Sequence, residues 1–482
     1  VVLPEGLTKI VAYGFKGCTA LVDVILPEGL TTVGNYVFQG CTSLTEISFP
    51  ESTTTIGQYA FNGCSNLKEV NFGSNITSIG NYAFQNCTSL TGTLEFPENL
   101  VTIGAAAFYG CTKMNGDLVI PSKVTTIGNN AFYNCTGITG GLTLPEGLAS
   151  IGSSAFSNCT GLSGKLELPS TLTTIGNSAF YGCKSFIGDL VIPNSVTSLG
   201  SSAFYGCSGF NGTLTLSDNI TKIDAQTFYN CSGLTGTIIV PNKVMKINYG
   251  AFAYCNKINE IVLGTGVKNL YGDSSPESYN VFYGCSNVSS ITFLGEQVPY
   301  ICDSVDANSS YYYHIQYFFN SNSLKNLKTI WVPAGCYTAY SNAYGTYLQT
   351  QTRIKETGAE DFIIENGVLK AYLGSDTSIK LPVYVTEIGS KAFLNNTTLT
   401  SVVLPEGLTK IDEYGFKGCT ALVDIILPEG LTTVGNYAFQ GCTSLAEISL
   451  PESTTTIGQY AFNGCSNLKK VSFGSNITSI GN

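Results

Sequence analysis

The stretch LTEISFPESTTTIGQYAFNGC, residues 44–64, decides the fold of this chain, because close variants of it recur along the sequence. Its first part alternates apolar and polar residues, which is typical of a half-buried β-strand. In that alternation Ile47 and Phe49 are predicted to point into the protein, and Glu46 and Ser48 to point outward.

The remainder of the stretch predicts a reversal of the chain. Pro50 cannot donate a backbone hydrogen bond and ends the strand. Residues 54–56 form a second short extended segment that is closed by Gly57. Residues 59–64 make a compact return, for which a helical turn is one option. The interior is predicted to be filled by Ala60, Phe61 and Cys64.

The repeat has a period of 23 residues, then 24, then 23 again. The longer units contain an extra glycine before the strand, which predicts a bulge or a tighter bend. One unit cannot bury its apolar edge, so stability requires stacked coils whose parallel strands lie about 4.8 Å apart. The units begin at Leu3, Leu26, Phe49, Phe72, Phe96, Ile120, Leu144, Leu168, Ile192, Leu216, Val240 and Leu263, and the extra glycines are Gly92, Gly116, Gly140, Gly164, Gly188, Gly212 and Gly236.

The pattern L-x-x-I-x-L-P-x-x-L-T-x-I-G-x-x-A-F-x-G-C resembles the BspA-like, or Treponema-type, leucine-rich repeats. Residues 431–442, LTTVGNYAFQGC, match it closely. The resemblance covers the chain outside roughly residues 264–380. It implies a repeat solenoid, a right-handed β-rich coil of 23–24-residue repeats. Such repeats occur in surface proteins of oral and gut bacteria and of some parasitic protists, where members are linked to adhesion. It carries over no functional residue.

Fifteen of the seventeen cysteines occupy one position of the repeat, after Ala-Phe or its equivalent. Stacked coils place their Cβ atoms near the strand spacing, wider than the roughly 3.5–4.5 Å that disulfides prefer. We expect a ladder of buried free thiols, with metal binding or redox chemistry as the alternative. Asn396 takes this position in one coil and is expected to be buried against backbone groups. Cys302 and Cys336 lie outside the ladder, and an oxidising compartment would allow a bridge between them.

Other reactive side chains are explained by the repeat or lack partners. His314 is the only histidine, so a histidine metal site or proton relay has no second member. Carboxylates recur with the period and are interpreted as solvated turn and strand residues. Asn-X-Ser/Thr triplets such as Asn86-Cys87-Thr88 arise from the repeat itself. We therefore predict no catalytic residues, no metal site and no cofactor.

The repeat pattern is interrupted after residue 293, and about thirty residues rich in Ser, Asn and Tyr follow. Residues 332–354 resemble the ending that caps such arrays, and residues 361–370 resemble their opening hairpin, with Asn366-Gly367 as the turn. The predicted domains are a leucine-rich-repeat array over 1–295, an irregular Tyr-rich insert and cap over 296–358, and the start of a second array over 359–482.

The second array nearly copies the first. Residues 402–482 align with 1–81 without a gap, at an offset of 401, and differ at eight positions. The simplest interpretation is that residues 1–401 are one circularly cut copy of a larger tandem unit. Sequencing of the parent gene is then expected to show a segment like residues 361–401 just before Val1.

Outward strand positions form two columns across the coils. Column A contains Asp23, Glu46, Glu69, Thr93, Asp117, Gly141, Lys165, Asp189, Thr213, Thr237 and Glu260, and column B contains Ile25, Ser48, Asn71, Glu95, Val119, Thr143, Glu167, Val191, Thr215, Ile239 and Val262. A solvated sheet face is the alternative to a binding face. The Tyr-rich insert is a second candidate, with core packing as its alternative. The candidate ligand-binding residues are Tyr311, Tyr312, Tyr313, His314, Tyr317, Glu46, Glu69, Glu95, Glu167 and Trp331.

Composition narrows the function further. Charged residues are 12% of the chain and the net charge is −10, without the clustered Lys and Arg of a nucleic-acid-binding surface. No apolar run reaches the length of a membrane span.

We expect an extracellular, cell-surface, non-enzymatic protein that binds proteins or glycans of host or microbial surfaces. The alternatives are a structural stalk, layer or filament with self-association of tandem units and, third, an enzyme.

Overall fold

Contacts between residues divide the chain into two compact units. The computed structural model describes residues 1–270, 280–301, 318–319, 324–333, 336–348, 352–356, 361–365, 367–382 and 385–481. One unit comprises Val1–Val332 with Thr338–Lys355, and the other comprises Pro333–Tyr337 with Glu356–Asn482. In the described residues the fold is a parallel β-solenoid with repeats about 23 residues apart, which confirms the predicted fold class. The predicted domain bounds of 1–295, 296–358 and 359–482 stay a prediction.

A single coil has the local structure that its sequence predicts. Its first strand, Glu46–Ser48, buries Ile47 and exposes the residues on either side. Its second strand, Thr55–Ile56, buries Ile56. In the return, the interior side chains Ala60, Phe61 and Cys64 have no exposed surface. The predicted inward and outward positions are confirmed in this coil.

The second strands form the most continuous sheet of the first unit. Each has two residues and pairs in parallel with the equivalent residues of the next coil, as Thr55 does with Thr32 and Ser78. Nine strands form one sheet in the order Lys9–Ile10, Thr32–Val33, Thr55–Ile56, Ser78–Ile79, Thr102–Ile103, Thr126–Ile127, Ser150–Ile151, Thr174–Ile175 and Ser198–Leu199. Three more form a separate sheet, Lys222–Ile223, Lys246–Ile247 and Asn269–Leu270.

The first strands form shorter sheets. Four two-stranded sheets pair Glu46–Ser48 with Glu69–Asn71, Leu118–Val119 with Leu142–Thr143, Ser163–Lys165 with Ser185–Ile187, and Leu190–Val191 with Leu214–Thr215. A five-stranded sheet then follows, made of Gly236–Val240, Ile258–Leu263, Ser290–Phe293, Thr329–Val332 and Arg353–Glu356.

The extra glycines explain part of this interruption. The pairing register shifts between Gly236 and Thr237, which is the kind of irregularity predicted there. Five of the seven have positive φ: Gly92, Gly116, Gly164, Gly188 and Gly236. Gly140 and Gly212 do not, but a Cβ on either would collide with the carboxylate of Asp117 or Asp189 in the preceding coil.

The return from the second strand to the cysteine is not helical, so a helical turn was the wrong option for it. Left-handed backbone at Tyr59 (φ 55°) and Gly63 (φ 74°) turns alternate N–H groups toward the next coil. The N–H groups of Tyr59, Phe61 and Gly63 donate to carbonyls of residues 81, 83 and 85, and those between them donate within the coil. The return therefore adds its own ladder of hydrogen bonds between coils.

The core is a stack of equivalent side chains. Successive phenylalanine rings from Phe15 to Phe282 lie with centroids 5.1–5.8 Å apart and nearly parallel. Phe38 and its equivalents up to Phe282 have no exposed surface. Each coil thus covers the apolar face of its neighbour, as a solenoid requires.

A helix covers the end of the first array. It spans Tyr337–Tyr344 and continues as a 3₁₀ turn, Gly345–Tyr347. Tyr340 and Tyr344 are fully buried, and their rings contact Phe293 at the end of strand Ser290–Phe293. The Tyr340 hydroxyl donates to the carbonyl of Gly295 at 2.7 Å. This helix shields an apolar edge that stacking leaves uncovered.

The second unit opens with the predicted hairpin. Strands Phe362–Glu365 and Val368–Tyr372 are antiparallel, and Val368 then pairs in parallel with Glu387. Its further second strands are Glu387–Ile388, Lys410–Ile411, Thr433–Val434, Thr456–Ile457 and Ser479–Ile480. Its first strands are Ser378–Lys380, Ser401–Val403 and Asp424–Ile426 in one sheet, and Glu447–Ser449 with Lys470–Ser472 in another.

Close stacking predicts a large cost for a methyl group after the second strand. A Cβ at Gly176 would lie 2.5 Å from the backbone nitrogen of Ser153, whereas one at Gly147 meets nothing closer than the Ser122 carbonyl at 3.6 Å. Gly176→Ala is expected to lower the free energy of unfolding by about 1–3 kcal/mol, and Gly147→Ala to have little effect. Urea unfolding followed by circular dichroism measures both. Equal losses would contradict the steric explanation.

Candidate ligand-binding surface

The first strands present two exposed columns of side chains, which we call the first-strand face. Glu46, Glu69, Glu95 and Glu167 are all exposed on it. Column B includes the exposed apolar side chains Ile25, Val119, Val191 and Ile239. Val262 was predicted to be exposed and is not: only 2% of it is accessible, inside the five-stranded sheet.

Charge on this face differs between the two arrays. In the first unit Glu46 lies directly opposite Glu69, so two carboxylates are neighbours. At the equivalent place in the second unit Glu447 lies opposite Lys470, whose Nζ is 3.9 Å from a Glu447 oxygen.

The eight differences between the copies are Val11/Asp412, Ala12/Glu413, Val24/Ile425, Val37/Ala438, Thr45/Ala446, Phe49/Leu450, Glu69/Lys470 and Asn71/Ser472. Core differences exchange one apolar residue for another, whereas three differences outside the core change charge.

Shallow depressions lie between neighbouring first strands. One of about 280 Å³ is lined by Asp23, Glu28 and Glu46 with Ile25 and Ser48. Another of about 520 Å³ is lined by Glu95 and Glu98 together with Val119. Both combine carboxylates with an exposed apolar side chain, which suits contact with a macromolecule better than enclosure of a small one.

Column B becomes uncharged toward the end of the first array. Register places Ile239, Val262, Thr292 and Trp331 in one row across four coils. Trp331 is half-buried in strand Thr329–Val332. Its register continues column B, but the buried Val262 separates it from the exposed Ile239.

The Tyr-rich insert is only partly within the described residues. Tyr311, Tyr312, Tyr313, His314 and Tyr317 lie outside them, and their role stays a prediction. Phe318 and Phe319, from the same stretch, are buried. Phe318 packs edge-on against Phe282 with centroids 5.9 Å apart, and Phe319 contacts Tyr344. For these two residues the alternative of core packing is correct.

The sequence reasoning missed a regular set of tyrosines on the return. Tyr13, Tyr36, Tyr59 and Tyr82, the first tyrosine ladder, stack with centroids 4.9, 4.9 and 4.5 Å apart. Their 23-residue spacing was the signal that could have revealed them. The second unit repeats this ladder with Tyr414, Tyr437 and Tyr460.

A second tyrosine ladder starts where the first ends, one position after the core phenylalanine. It consists of Tyr109 and Tyr133, 4.7 Å apart, and of Tyr181, Tyr205 and Tyr229, spaced 4.5 and 4.4 Å. Lysine ammonium groups lie near the rings of the first tyrosine ladder and of its repeat in the second unit. Lys16 lies 5.3 Å from the Tyr13 ring centroid, and Lys417 lies 4.9 Å from that of Tyr414.

The cysteines form the predicted ladder of free thiols. They are buried from Cys41 to Cys285, and each of these donates from Sγ to the carbonyl of the phenylalanine in the preceding coil, as Cys64 does to Phe38 at 3.1 Å. Cys18 is exposed and Cys465 half-buried, which corrects the expectation at both ends of the ladder. Burial raises the pKa of the Cys111 and Cys255 thiols to about 12, so they stay protonated and unreactive at neutral pH.

Two other predictions about polar residues have different outcomes. Asn396 is half-buried rather than buried, and its Oδ1 accepts the N–H groups of Thr398 and Leu399, so it does face backbone. Cys302 lies outside the described residues, which leaves its bridge to Cys336 a prediction.

Within the described parts of the chain, no group of three or more His, Cys, Asp or Glu side chains could hold a metal ion. Across these same parts, no helix is long and apolar enough to cross a membrane.

Comparison with known proteins finds matches along most of the chain. The model of the BspA type leucine rich repeat region matches residues 1–115, 115–235, 159–277, 212–352 and 364–482. A leucine-rich repeat protein from Bacteroides ovatus is 25% identical, with 92% of this chain and 82% of that chain covered and a TM-score of 0.39.

Two further solved structures are similar at lower identity. A leucine rich cell surface protein from Faecalibacterium prausnitzii is 18% identical, covers 98% of this chain and 89% of its own, and has a TM-score of 0.32. The pneumococcal vaccine antigen PcpA is 17% identical, covers 74% of this chain and 78% of its own, and has a TM-score of 0.34. A search of curated proteins finds no match.

The thiol ladder predicts selective alkylation. With iodoacetamide at pH 8, Cys18 is expected to react in the folded protein, because it is exposed. Cys111 and Cys255 are expected to react only after denaturant is added, because both are buried and protonated. Mass spectrometry of peptides from native and urea-treated samples measures both. Fast modification of Cys111 in the native protein would contradict the buried ladder.

The same thiols predict a loss of stability at alkaline pH. Their pKa is raised in the folded state, so the unfolded chain loses protons first. The stabilisation is complete below the ordinary thiol pKa of 9.0 and is lost as pH rises toward 12. Melting temperature is expected to fall across this range, and less so in the Cys111→Ala, Cys255→Ala variant. An identical pH dependence for that variant would show that other groups cause the fall.

Proposed function

Because the chain belongs to the BspA type of leucine rich repeat proteins, we propose that it is a non-enzymatic bacterial cell-surface protein that binds macromolecules of host or microbial surfaces. The observation that carries the proposal is the first-strand face. Its outward residues vary from coil to coil among acidic, basic, polar and apolar types, although the fold keeps their spacing constant. The extracellular location is part of the same proposal, since the family resemblance implies it.

The surface beside the second strands is constrained by the fold. Directly before these strands, the hydroxyls of Thr31, Thr54 and Thr77 donate to carbonyls of the preceding coil, so these side chains help to join coils. Some column side chains also join coils, because Asp117 accepts the N–H of Gly141 and Asp189 accepts the N–H of Thr213. The exposed apolar side chains Ile25, Val119 and Val191 cannot make such bonds and are available to a partner. Many weak contacts along one rigid face would add up to useful avidity.

The proposal predicts that binding depends on the first-strand face. Ile25→Lys, Val119→Lys and Val191→Lys together would replace exposed apolar side chains with charges and leave the core intact. The triple variant is expected to lose at least tenfold in affinity for a ligand that the unmodified chain binds. Candidate ligands are purified host matrix proteins, epithelial surfaces and bacterial cells, and surface plasmon resonance and cell-adhesion assays measure the binding.

A matched control places three lysines on another exposed surface. Val101→Lys, Thr125→Lys and Thr221→Lys alter exposed residues that directly precede second strands. This variant is expected to bind like the unmodified chain. Equal losses in both variants would show that binding does not depend on the first-strand face. Absence of binding to every ligand class would contradict the adhesin-like function.

A structural role is the second candidate function. The near-identity of residues 1–81 and 402–482 favours it, because identical arrays can associate through identical surfaces. Electron microscopy of the purified chain tests it. Regular filaments or layers would support this role, and isolated monomers at high concentration would exclude the filament.

A further inference from the structure

The two arrays carry the same exposed apolar residue at one place on their first strands. Ile25 in the first unit and Ile426 in the second occupy equivalent positions of the two copies. Their side chains are 55% and 77% exposed. Both arrays therefore offer the same apolar contact to a partner at this place.

The charges beside that apolar residue differ between the arrays. In the first unit, column A has carboxylates in three successive coils, at Asp23, Glu46 and Glu69, and all three are exposed. In the second unit Lys470 replaces the third carboxylate, and its Nζ lies 3.9 Å from a Glu447 oxygen. Within the described residues, no Lys or Arg side chain forms an ion pair with Glu46 or Glu69.

The fold does not require the carboxylate at Glu69. Glu46 lies directly opposite Glu69 in a parallel pair of strands, and like charges in that arrangement lower stability. Asn71 donates to Oε1 of Glu69 at 3.0 Å, but a neutral amide leaves both negative charges in place. The second unit has lysine at this position with the same strand pairing. A cation supplied by a partner would relieve the repulsion in the first unit as Lys470 does in the second.

A depression beside this pair has room for a side chain of a partner. It measures about 280 Å³ and is lined by Asp23, Glu28 and Glu46 together with Ile25. Carboxylates and an apolar surface thus lie side by side. An arginine side chain suits both, because its planar guanidinium bonds to carboxylates through two N–H groups and its methylene stem packs on apolar surface.

We propose that this part of the first-strand face, around Ile25 and the Glu46–Glu69 pair, binds a protein segment in which arginine alternates with apolar residues. Successive side chains of an extended segment point to opposite sides. The arginines would face the carboxylates of column A, and the apolar residues would face Ile25 in column B. The second unit keeps the apolar contact but lacks the charge pattern, so it does not bind the segment. This inference rests on the proposed function for the choice of face and names the chemistry of the partner.

The test uses the peptide acetyl-RLRLR-amide as the probe, with the full chain and isothermal titration calorimetry at low ionic strength. The unmodified chain is expected to bind one peptide. Glu69→Lys is expected to weaken binding about tenfold or more, and Lys470→Glu to add a second site. Neither substitution threatens the fold, because each introduces the residue that the other unit has at the equivalent position.

An exchange of the two residues controls for the net charge. The double variant Glu69→Lys, Lys470→Glu keeps the net charge of −10 and moves the charge pattern to the second unit. In the unmodified chain Ile25→Ser is expected to weaken binding and Ile426→Ser to have no effect. In the exchanged chain these two effects are expected to reverse. General attraction of a basic peptide to an acidic protein cannot cause this reversal.

Two further peptides separate the charged contact from the apolar one. Acetyl-ELELE-amide is expected not to bind, because its charges repel column A. Acetyl-RSRSR-amide is expected to bind several-fold more weakly than acetyl-RLRLR-amide, because it lacks the contact with Ile25. A rise in ionic strength is expected to weaken binding of acetyl-RLRLR-amide to the unmodified chain, because salt screens exposed charges.

The proposal is overturned if Glu69→Lys binds acetyl-RLRLR-amide as tightly as the unmodified chain, or if Lys470→Glu gains no second site. Equal binding of the RLRLR and RSRSR peptides would also overturn it. Adhesion assays separate it from the proposed function. Adhesion without any binding of acetyl-RLRLR-amide would contradict this inference alone, whereas peptide binding that depends on Glu69 without any adhesion would contradict the function alone.

Discussion

Backbone hydrogen bonds between residues one repeat apart hold this structure together. The second strands, the return and part of the first strands all form backbone hydrogen bonds with the equivalent segment of a neighbouring coil. This pairing requires that the coils approach to the strand spacing, and the approach dictates the residues along the repeat. Glycine follows most second strands because a Cβ there would meet the preceding backbone, and identical side chains stack because each lies over its own equivalent.

The same constraint explains how much the sequence could predict. Period, strand positions and interior residues follow from hydrophobic alternation and turn chemistry, so residues such as Ile47, Phe61 and Cys64 were assigned correctly. The conformation of the return was not predictable in this way, because it depends on left-handed backbone at Tyr59, a residue type that rarely adopts it. Hydrogen bonds and ring stacking with the neighbouring coils favour that conformation.

Predictions about the surface were limited by a different cause. Alternation shows which side of a strand faces outward, and it placed Glu46 and Glu167 correctly on an exposed face. It does not show what else covers that face, so the burial of Val262 could not be read from its strand. The tyrosine ladders were visible as a period, but their significance depends on ring stacking across coils, which a single repeat does not contain.

The thiol ladder also affects how the chain reaches its folded state. Before folding, cysteines occur every 23 or 24 residues within most of each array on a flexible polypeptide, and oxidation could join any two of them. Each coil that docks removes one thiol from solvent and engages it with a carbonyl of the previous coil. Growth of the stack by successive docking therefore protects cysteines in order along the chain. The period of vulnerability to mispaired disulfides is the time that the array takes to assemble, and the finished solenoid is insensitive to the redox state of its surroundings along most of its length.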